Sequence, residues 1–255
     1  MIQVVGFSRR CEVILVTIAS NAAWHPGQHM RIRAPGIIPV SSPFSIASDP
    51  KTGVIKLVVR VKRGVSRSLL KQVRNGETTQ LLPTAGTASG PCARIPVVIS
   101  GPYARCAGAG TYGSATFILG GTGAACGLVV ALNMAQRAGT VKRITVFWTL
   151  NVPSVAEAMG YLGASIMRTA RENGIYASYN IHVTDTTKHR RLDVGEVVRS
   201  ELDTCRELGL CSVGVFTCGP DGLRDQVRIA AVGAQHEILA GALHPVQEVA
   251  LENLR

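Results

Sequence analysis

The chain has 255 residues, with 27 Lys and Arg against 16 Asp and Glu, a formal net charge of +11. Its 46% hydrophobic and 17% charged residues exclude a disordered chain, and its length predicts one large or two small domains able to bury a core. The seven cysteines, Cys11, Cys92, Cys106, Cys126, Cys205, Cys211 and Cys218, are odd in number and contain no C-x-x-C, which excludes a zinc ribbon or thioredoxin-type motif and fits a reducing compartment.

In chain order, the first hundred residues predict short strands punctuated by Pro and Gly: Cys11–Ile18, Gln28–Arg33, Pro43–Ala47, Val54–Val61 and Ile95–Ser100. One helix is predicted over Ser66–Val73, with Ser66 as its cap. That spacing predicts a small antiparallel barrel. Pro26 and Gly27 separate His25 from His29 and break the helical face a metal pair would need, so no metal site is assigned.

Cys106 to Gln136 contains no charged residue, a length that invites a membrane span. Its composition predicts instead a Gly/Ala loop, a short buried strand, the turn Gly120-Gly121-Thr122-Gly123, and a helix with Ala124, Leu128, Ala131, Leu132 and Ala135 on its repeat. The N-terminus lacks a basic start before an apolar run, so no signal peptide is predicted. Strands and helices then alternate: strand Ala115–Leu119, helix Ala124–Ala138, strand Arg143–Thr149, helix Ala156–Glu172, strand Tyr179–Val183, helix Val194–Leu208, strand Val213–Thr217 and helix Gly222–Val232. Alternation of this kind predicts a doubly wound parallel sheet. The predicted fold class is β-barrel plus α/β, with a barrel over 1–104, a linker over about 105–114 and a nucleotide-binding α/β domain over 115–255.

Two segments and one absence in the second half bear on chemistry. Gly120-Gly121-Thr122-Gly123 joins a strand to a helix start, where backbone N–H groups and the helix dipole favour an anion. Glycine there permits close approach of a pyrophosphate, although a tight turn with positive φ explains the same residues. No Asp or Glu occurs from Gly123 to Ala156, so the carboxylate that binds the adenosine ribose of NAD is missing, which favours NADPH. Cys218-Gly219-Pro220 ends another strand at the ligand edge of the sheet, where the thiol can lie against a flat ring or simply be buried. In the first half, Pro43, Phe44 and Ser45 can wall and hydrogen-bond a heterocycle. Gly64-Val65-Ser66 opens a helix beside Lys62 and Arg63, again an anion site in type. Gly101-Pro102-Tyr103 closes the barrel. The positive charge is not arranged in basic blocks with interleaved aromatics, which argues against nucleic acid and leaves phosphorylated ligands, an anionic membrane surface or an ordinary solvated surface.

In this order the motifs resemble the C-terminal dehydrogenase region of the ferric reductase/NADPH oxidase family, within the ferredoxin–NADP reductase-like superfamily, and most of all the fungal ferric-chelate reductases. Trp24-His25-Pro26-Gly27-Gln28-His29 is similar to the family's Pro-Gly-Gln strand, and Ser42-Pro43-Phe44-Ser45-Ile46 to its His-Pro-Phe-Ser/Thr flavin motif, with Ser42 in place of His. Gly64-Val65-Ser66-Arg67-Ser68-Leu69 resembles the segment that holds the FAD pyrophosphate. Gly101-Pro102-Tyr103-Ala104 resembles Gly-Pro-Tyr-Gly. Gly120–Gly123 and Cys218-Gly219-Pro220 resemble the two NADPH motifs. Asn151 stands where the family often has Arg, which leaves Lys188, Arg190 and Arg191 as candidates for the 2′-phosphate.

The resemblance implies a flavoprotein oxidoreductase with FAD and NADPH as cofactors, passing hydride from NADPH to FAD and then single electrons to haem and ferric chelate. It implies Ser45 at the flavin edge and Cys218 against the nicotinamide as the catalytic contacts. Pro43 and Phe44 would wall the ring, and the glycine segments would hold phosphates. It implies a haem-bearing transmembrane portion of the same protein as partner, with this chain at the cytosolic face of a membrane, the plasma membrane. The last residues, Ala250 to Arg255, lack the family's terminal aromatic, which implies a more open flavin face near Leu251 and Leu254. An NADPH oxidase portion, a soluble NAD(P)H–flavin diaphorase and a non-catalytic nucleotide-binding module remain as alternative readings.

Overall fold

The computed structural model describes residues 2–8, 13–19, 22–33, 42–75, 93–95, 98–104, 112–137, 139, 141–184, 191–241, 246 and 248–254. The first half holds β1 (Ile2–Ser8), β2 (Val13–Ala19), β3 (His29–Arg33), β4 (Ser42–Ser45), β5 (Val54–Arg60), α1 (Val65–Asn75), β6 (Ala93–Ile95) and β7 (Val98–Tyr103). Two antiparallel sheets result, in the orders β5-β2-β1-β6 and β4-β3-β7. An Ile46–Leu57 bridge joins them. Period-two alternation does the sorting: Met30 and Ile32 are buried while Arg31 and Arg33 face out. Ile14, Ile32, Ile55, Leu57 and Leu69 of α1 close one apolar core.

The second half contains β8 (Ser114–Gly120), α2 (Ala124–Gln136), β9 (Arg143–Leu150), α3 (Pro153–Glu172), β10 (Tyr176–Val183), α4 (Val194–Glu207), β11 (Ser212–Cys218), α5 (Asp221–Leu239) and β12 (Glu248–Asn253). The sheet is wholly parallel, in the order β10-β9-β8-β11-β12. Helices α2 and α3 pack on one face and α4 and α5 on the other. Chain order reverses between β8 and β11, which makes their C-terminal ends the ligand edge. The expected antiparallel sheets followed by a doubly wound sheet are therefore what the chain forms.

The uncharged stretch owes its composition to α2. Eleven of its thirteen residues are buried. One side lies on the parallel sheet, and the other meets the barrel, whose Val13, Ala47 and Val58 share the cluster formed by α2 and α3. A helix apolar all round is a helix covered all round. Its Gln136 hydrogen-bonds Asp49, and Tyr161 of α3 donates to the Ala47 carbonyl at 2.5 Å while its ring lies 5.1 Å from the Lys56 ammonium. Among the described residues no helix is long and apolar enough to cross a membrane.

Several elements differ from expectation. β1 and β12 were not predicted; in Glu248–Asn253 the helix-favouring Glu, Ala and Leu hide an alternation that points Val249 and Leu251 to one face and Ala250 to the other. The single strand expected over Ile95–Ser100 is two, β6 on β1 and β7 on β3. Ser66 is not the cap of α1, which begins at Val65; its hydroxyl accepts the Lys62 N–H at 2.8 Å. Helix α5 runs to Leu239, past the expected end at Val232.

Candidate functional site

Strands β8 and β11 run side by side, with Cys218 opposite Leu119. Each ends in a glycine turn that feeds a helix, and the two turns touch. A Cβ on Gly219 would sit 3.0 Å from Gly120 Cα, one on Gly123 would sit 3.2 Å from Gly219 Cα, and one on Gly120 would sit 2.7 Å from Pro220 Cδ. Turn-on-turn packing therefore demands three of these glycines by itself. Gly121, at φ +53°, has open space where its Cβ would be and is demanded by the backbone conformation.

Neither α2 nor α5 has a side-chain cap, whereas Asp193 caps α4 by accepting the Glu196 N–H at 3.0 Å. Two neighbouring helix starts thus leave backbone donors unclaimed by side chains, and the first turn of α2 contains no acid. The two helix starts adjoin, a fit for the diphosphate of a dinucleotide, with the Asp221 carboxylate in the first turn of α5 paired to Arg224. Trp148 of β9, fully buried, holds the first turn by donating from Nε1 to the Gly121 carbonyl at 2.9 Å. The sequence reading missed Trp148; its signal was an aromatic in the strand beside the glycine turn. No carboxylate stands at the end of β9, where Leu150 is followed by an exposed Asn151.

Cys218 is the last residue of β11 and is 9% exposed. A hydrogen bond from Cys126 holds its thiol below the ordinary value; burial opposes this, and the Arg224 guanidinium adds to it. Cys126, in the first turn of α2, also reaches the barrel, its sulfur 3.8 Å from the Gly27 carbonyl. Gly27, Cys126 and Cys218 thus form a chain of contacts from barrel to sheet.

On the barrel side, β4 pairs with β3 so that Ser45 faces His29 and Pro43 faces Arg31. The pleat puts Pro43 and Ser45 on one face and Phe44 on the other, half-buried against the barrel core. This corrects the expectation that Pro43 and Phe44 wall one ring together. The outer face also holds Tyr103, 44% exposed, whose ring is 5.7 Å from that of His29 and 6.0 Å from the Arg31 guanidinium. Burial, then the Arg31 charge, lowers the His29 pKa. Gly101, at φ +119°, is required where a Cβ would meet the His29 carbonyl and Met30 Sδ at 3.1 Å. Gln28 ties this corner together, accepting the His25 N–H at 2.7 Å and donating to the Ala104 carbonyl at 2.8 Å.

At the end of β5, Gly64 has φ +76° and open space around it, Val65 and Ser66 are buried, and Lys62 and Arg63 are exposed beside a first helical turn without acids. A phosphate fits that donor set. β5 also lies against the glycine turn after β8, and Gly27 of the barrel meets Cys126 at the start of α2. Of the 2′-phosphate candidates, Lys188 and Arg190 lie outside the described residues. Arg191 is exposed at a cleft of about 450 Å³ between the start of α4 and the middle of α5. Leu254 is buried in the core that includes Cys218, its N–H bonded to the Thr217 carbonyl at 2.9 Å, and Leu251 packs toward α4 and α5.

Comparison with known proteins agrees with this architecture. Residues 3–107 match an FAD-binding domain family. No curated protein matches the chain in sequence. Among solved structures, the flavohaemoglobin of Malassezia yamatoensis with bound FAD and haem is similar at 14% identity and TM-score 0.61, over 100% of this chain and 59% of that one. This chain therefore spans about three fifths of the flavohaemoglobin's length. The ferredoxin–NADP+ reductase of Neisseria gonorrhoeae with bound FAD and NADP is similar at 11% identity and TM-score 0.56, over 100% of this chain and 98% of that one. The cytochrome b5 reductase domain of Ulva prolifera nitrate reductase is similar at 15% identity and TM-score 0.55, over 97% and 94% of the two chains. The chain has the ferredoxin–NADP reductase-like fold.

Proposed function

We propose that the chain is the reductase unit of a flavoprotein oxidoreductase, holding FAD on the barrel and taking electrons from NADPH. The observation that carries this reading is the pair of uncapped helix starts at the touching glycine turns, set against the FAD-type barrel. FAD, when bound, accepts a hydride and releases electrons singly, which no side chain can do. The chain's own residues bind and orient. Ser45 offers a hydroxyl to the ring edge, Pro43 shares its strand face, and Phe44 backs that strand from the barrel core. Gly64, Val65 and Ser66, with Lys62 and Arg63, take the FAD phosphates. Gly101 lets the strand pass close to His29, beside the ring. Gly120, Gly121, Thr122, Gly123, Gly219 and Pro220 form the seat for the coenzyme diphosphate. Cys218 presents a polarizable thiol to the nicotinamide, and α2, lying against both domains, keeps water from the junction. The proposed domain assignment is 1–104 for flavin and 115–255 for the nicotinamide coenzyme; the FAD-binding match over 3–107 supports its first part.

The acceptor is proposed on the sequence resemblance: a haem-bearing transmembrane portion at the cytosolic face of a membrane, with ferric chelate beyond it. The absence of a carboxylate after β9 favours NADPH over NADH. Titrating FAD into the purified chain and adding NADPH without oxygen tests the reading. Bound flavin should bleach, NADPH should act at least as well as NADH, and a small dye should be reduced. Cys218→Ala should slow bleaching about tenfold, corresponding to about 1.4 kcal/mol of misplaced ring. A chain that binds no FAD, or binds it without bleaching, sinks the proposal.

A further inference from the structure

Cys126 was not assigned a role by the sequence or by the proposed function. It occupies the first turn of α2 and is wholly buried. The helix start is pressed onto the end of β11, because a Cβ on Gly123 would lie 3.4 Å from the Cys218 carbonyl carbon. At this contact the Cys126 and Cys218 thiols hydrogen-bond each other. Both are thiols here. The Cys126 proton serves either the Gly27 carbonyl, at a long 3.8 Å, or the Cys218 sulfur. Cys218, the last residue of β11, is 9% exposed, and Cys126 is wholly buried. A thiol held below its ordinary pKa, hydrogen-bonded to a second thiol that can displace its oxygen, has the make-up of a peroxide-sensitive pair.

We propose that Cys126 and Cys218 form a reversible disulfide under hydroperoxide, a modification site at the junction of barrel and sheet. Cys218, as thiolate, attacks one peroxide oxygen; the O–O bond breaks, the sulfur is oxidised to a sulfenic acid, and hydroxide leaves to become water. The Cys126 sulfur then attacks Cys218, the S–O bond breaks, and a second water leaves with the Cys126 proton. In sum two thiols lose two hydrogens and one hydrogen peroxide becomes two waters. The hydrogen bond that lowers the Cys218 pKa also aims Cys126 for the second step. The bond ties the start of α2 to the end of β11 and consumes the thiol assigned to the nicotinamide; only this consequence rests on the proposed function.

The test is peptide mapping of the full chain after hydrogen peroxide, with remaining thiols alkylated under denaturing conditions. The expected result is one fragment holding Cys126 linked to one holding Cys218, about tenfold more abundant than any other pairing, released by dithiothreitol and absent in Cys126→Ser. NADP+ present during oxidation should slow the link about tenfold. A link that forms at an unchanged rate supports the thiol pair and overturns the nicotinamide placement, so the two failures are distinguishable. If Cys126 and Cys218 remain thiols after the exposed Cys211 has reacted, the pair is not redox-active. Oxidation of Cys218 to sulfinic acid without a linked Cys126 overturns it equally, and neither result depends on a variant folding.

Discussion

Two glycines at the junction differ in what they forbid. Gly219→Ala forces a Cβ against the backbone of Gly120, where nothing flexible can yield. It should cost about 2 kcal/mol of stability and weaken NADPH binding at least tenfold, by separating the turns. Gly121→Ala meets open space and only opposes φ +53°, so about 1 kcal/mol is expected, without displacement of the neighbouring turn. Urea melts with coenzyme titration separate the two cases. His29 gives a pH prediction of definite sign. Its pKa is lowered from 6.5 by burial and then by Arg31, so the unfolded chain binds the proton more readily. The stabilisation is present above pH 6.5 and is lost as pH falls through the folded value. Thermal melts of His29→Asn should show a flatter acid limb than the parent; an unchanged limb would place the acid sensitivity elsewhere.

Among the elements, α4 is fastened to the sheet by a buried ion pair. Glu201, 6% exposed, accepts from Arg143 at 3.2 and 3.1 Å and from the Thr145 hydroxyl at 2.9 Å. Tyr176 covers the guanidinium, 4.7 Å from its ring centre. Removing one charge leaves the other buried without a counterion, so Glu201→Ala should cost about 3 kcal/mol in denaturant melts. The double change Arg143→Met with Glu201→Leu should recover most of that loss, because the pair's net worth is small once both charges go. Failure to recover would mean that the guanidinium's packing on Tyr176, not its charge, holds α4.

For the whole molecule, the question is what keeps barrel and sheet together. The contacts fall along α2 and α3: Gln136 with Asp49, Tyr161 with the Ala47 carbonyl, and the shared apolar cluster. Tyr161 has its pKa pushed up to about 12 by burial, so it stays a donor through the physiological range. Tyr161→Phe leaves the Ala47 carbonyl without that donor and should cost about 1 kcal/mol. Thermal unfolding should remain a single transition, because the apolar contact around Ala47 and Val58 persists. Two separated transitions would show that the hydrogen bond, rather than α2's burial, couples the halves.

The sequence by itself determined the architecture. Period-two strands before Gly101, and alternating strands and helices after the Gly/Ala loop, can be packed in few ways, because each apolar face must be covered. It also located both glycine turns, since turn chemistry is local. It could not show β12, whose helix-favouring residues form a strand only because β11 offers an unpaired edge. Nor could it show why Cys106 to Gln136 lacks charge, because α2's second cover comes from a barrel more than fifty residues away in the chain. Which of Pro43 and Phe44 turns to the barrel core depended on how β4 lies on β3. The meeting of Gly120 with Gly219 and of Cys126 with Cys218 joins positions 99 and 92 residues apart, a proximity decided by the sheet order alone.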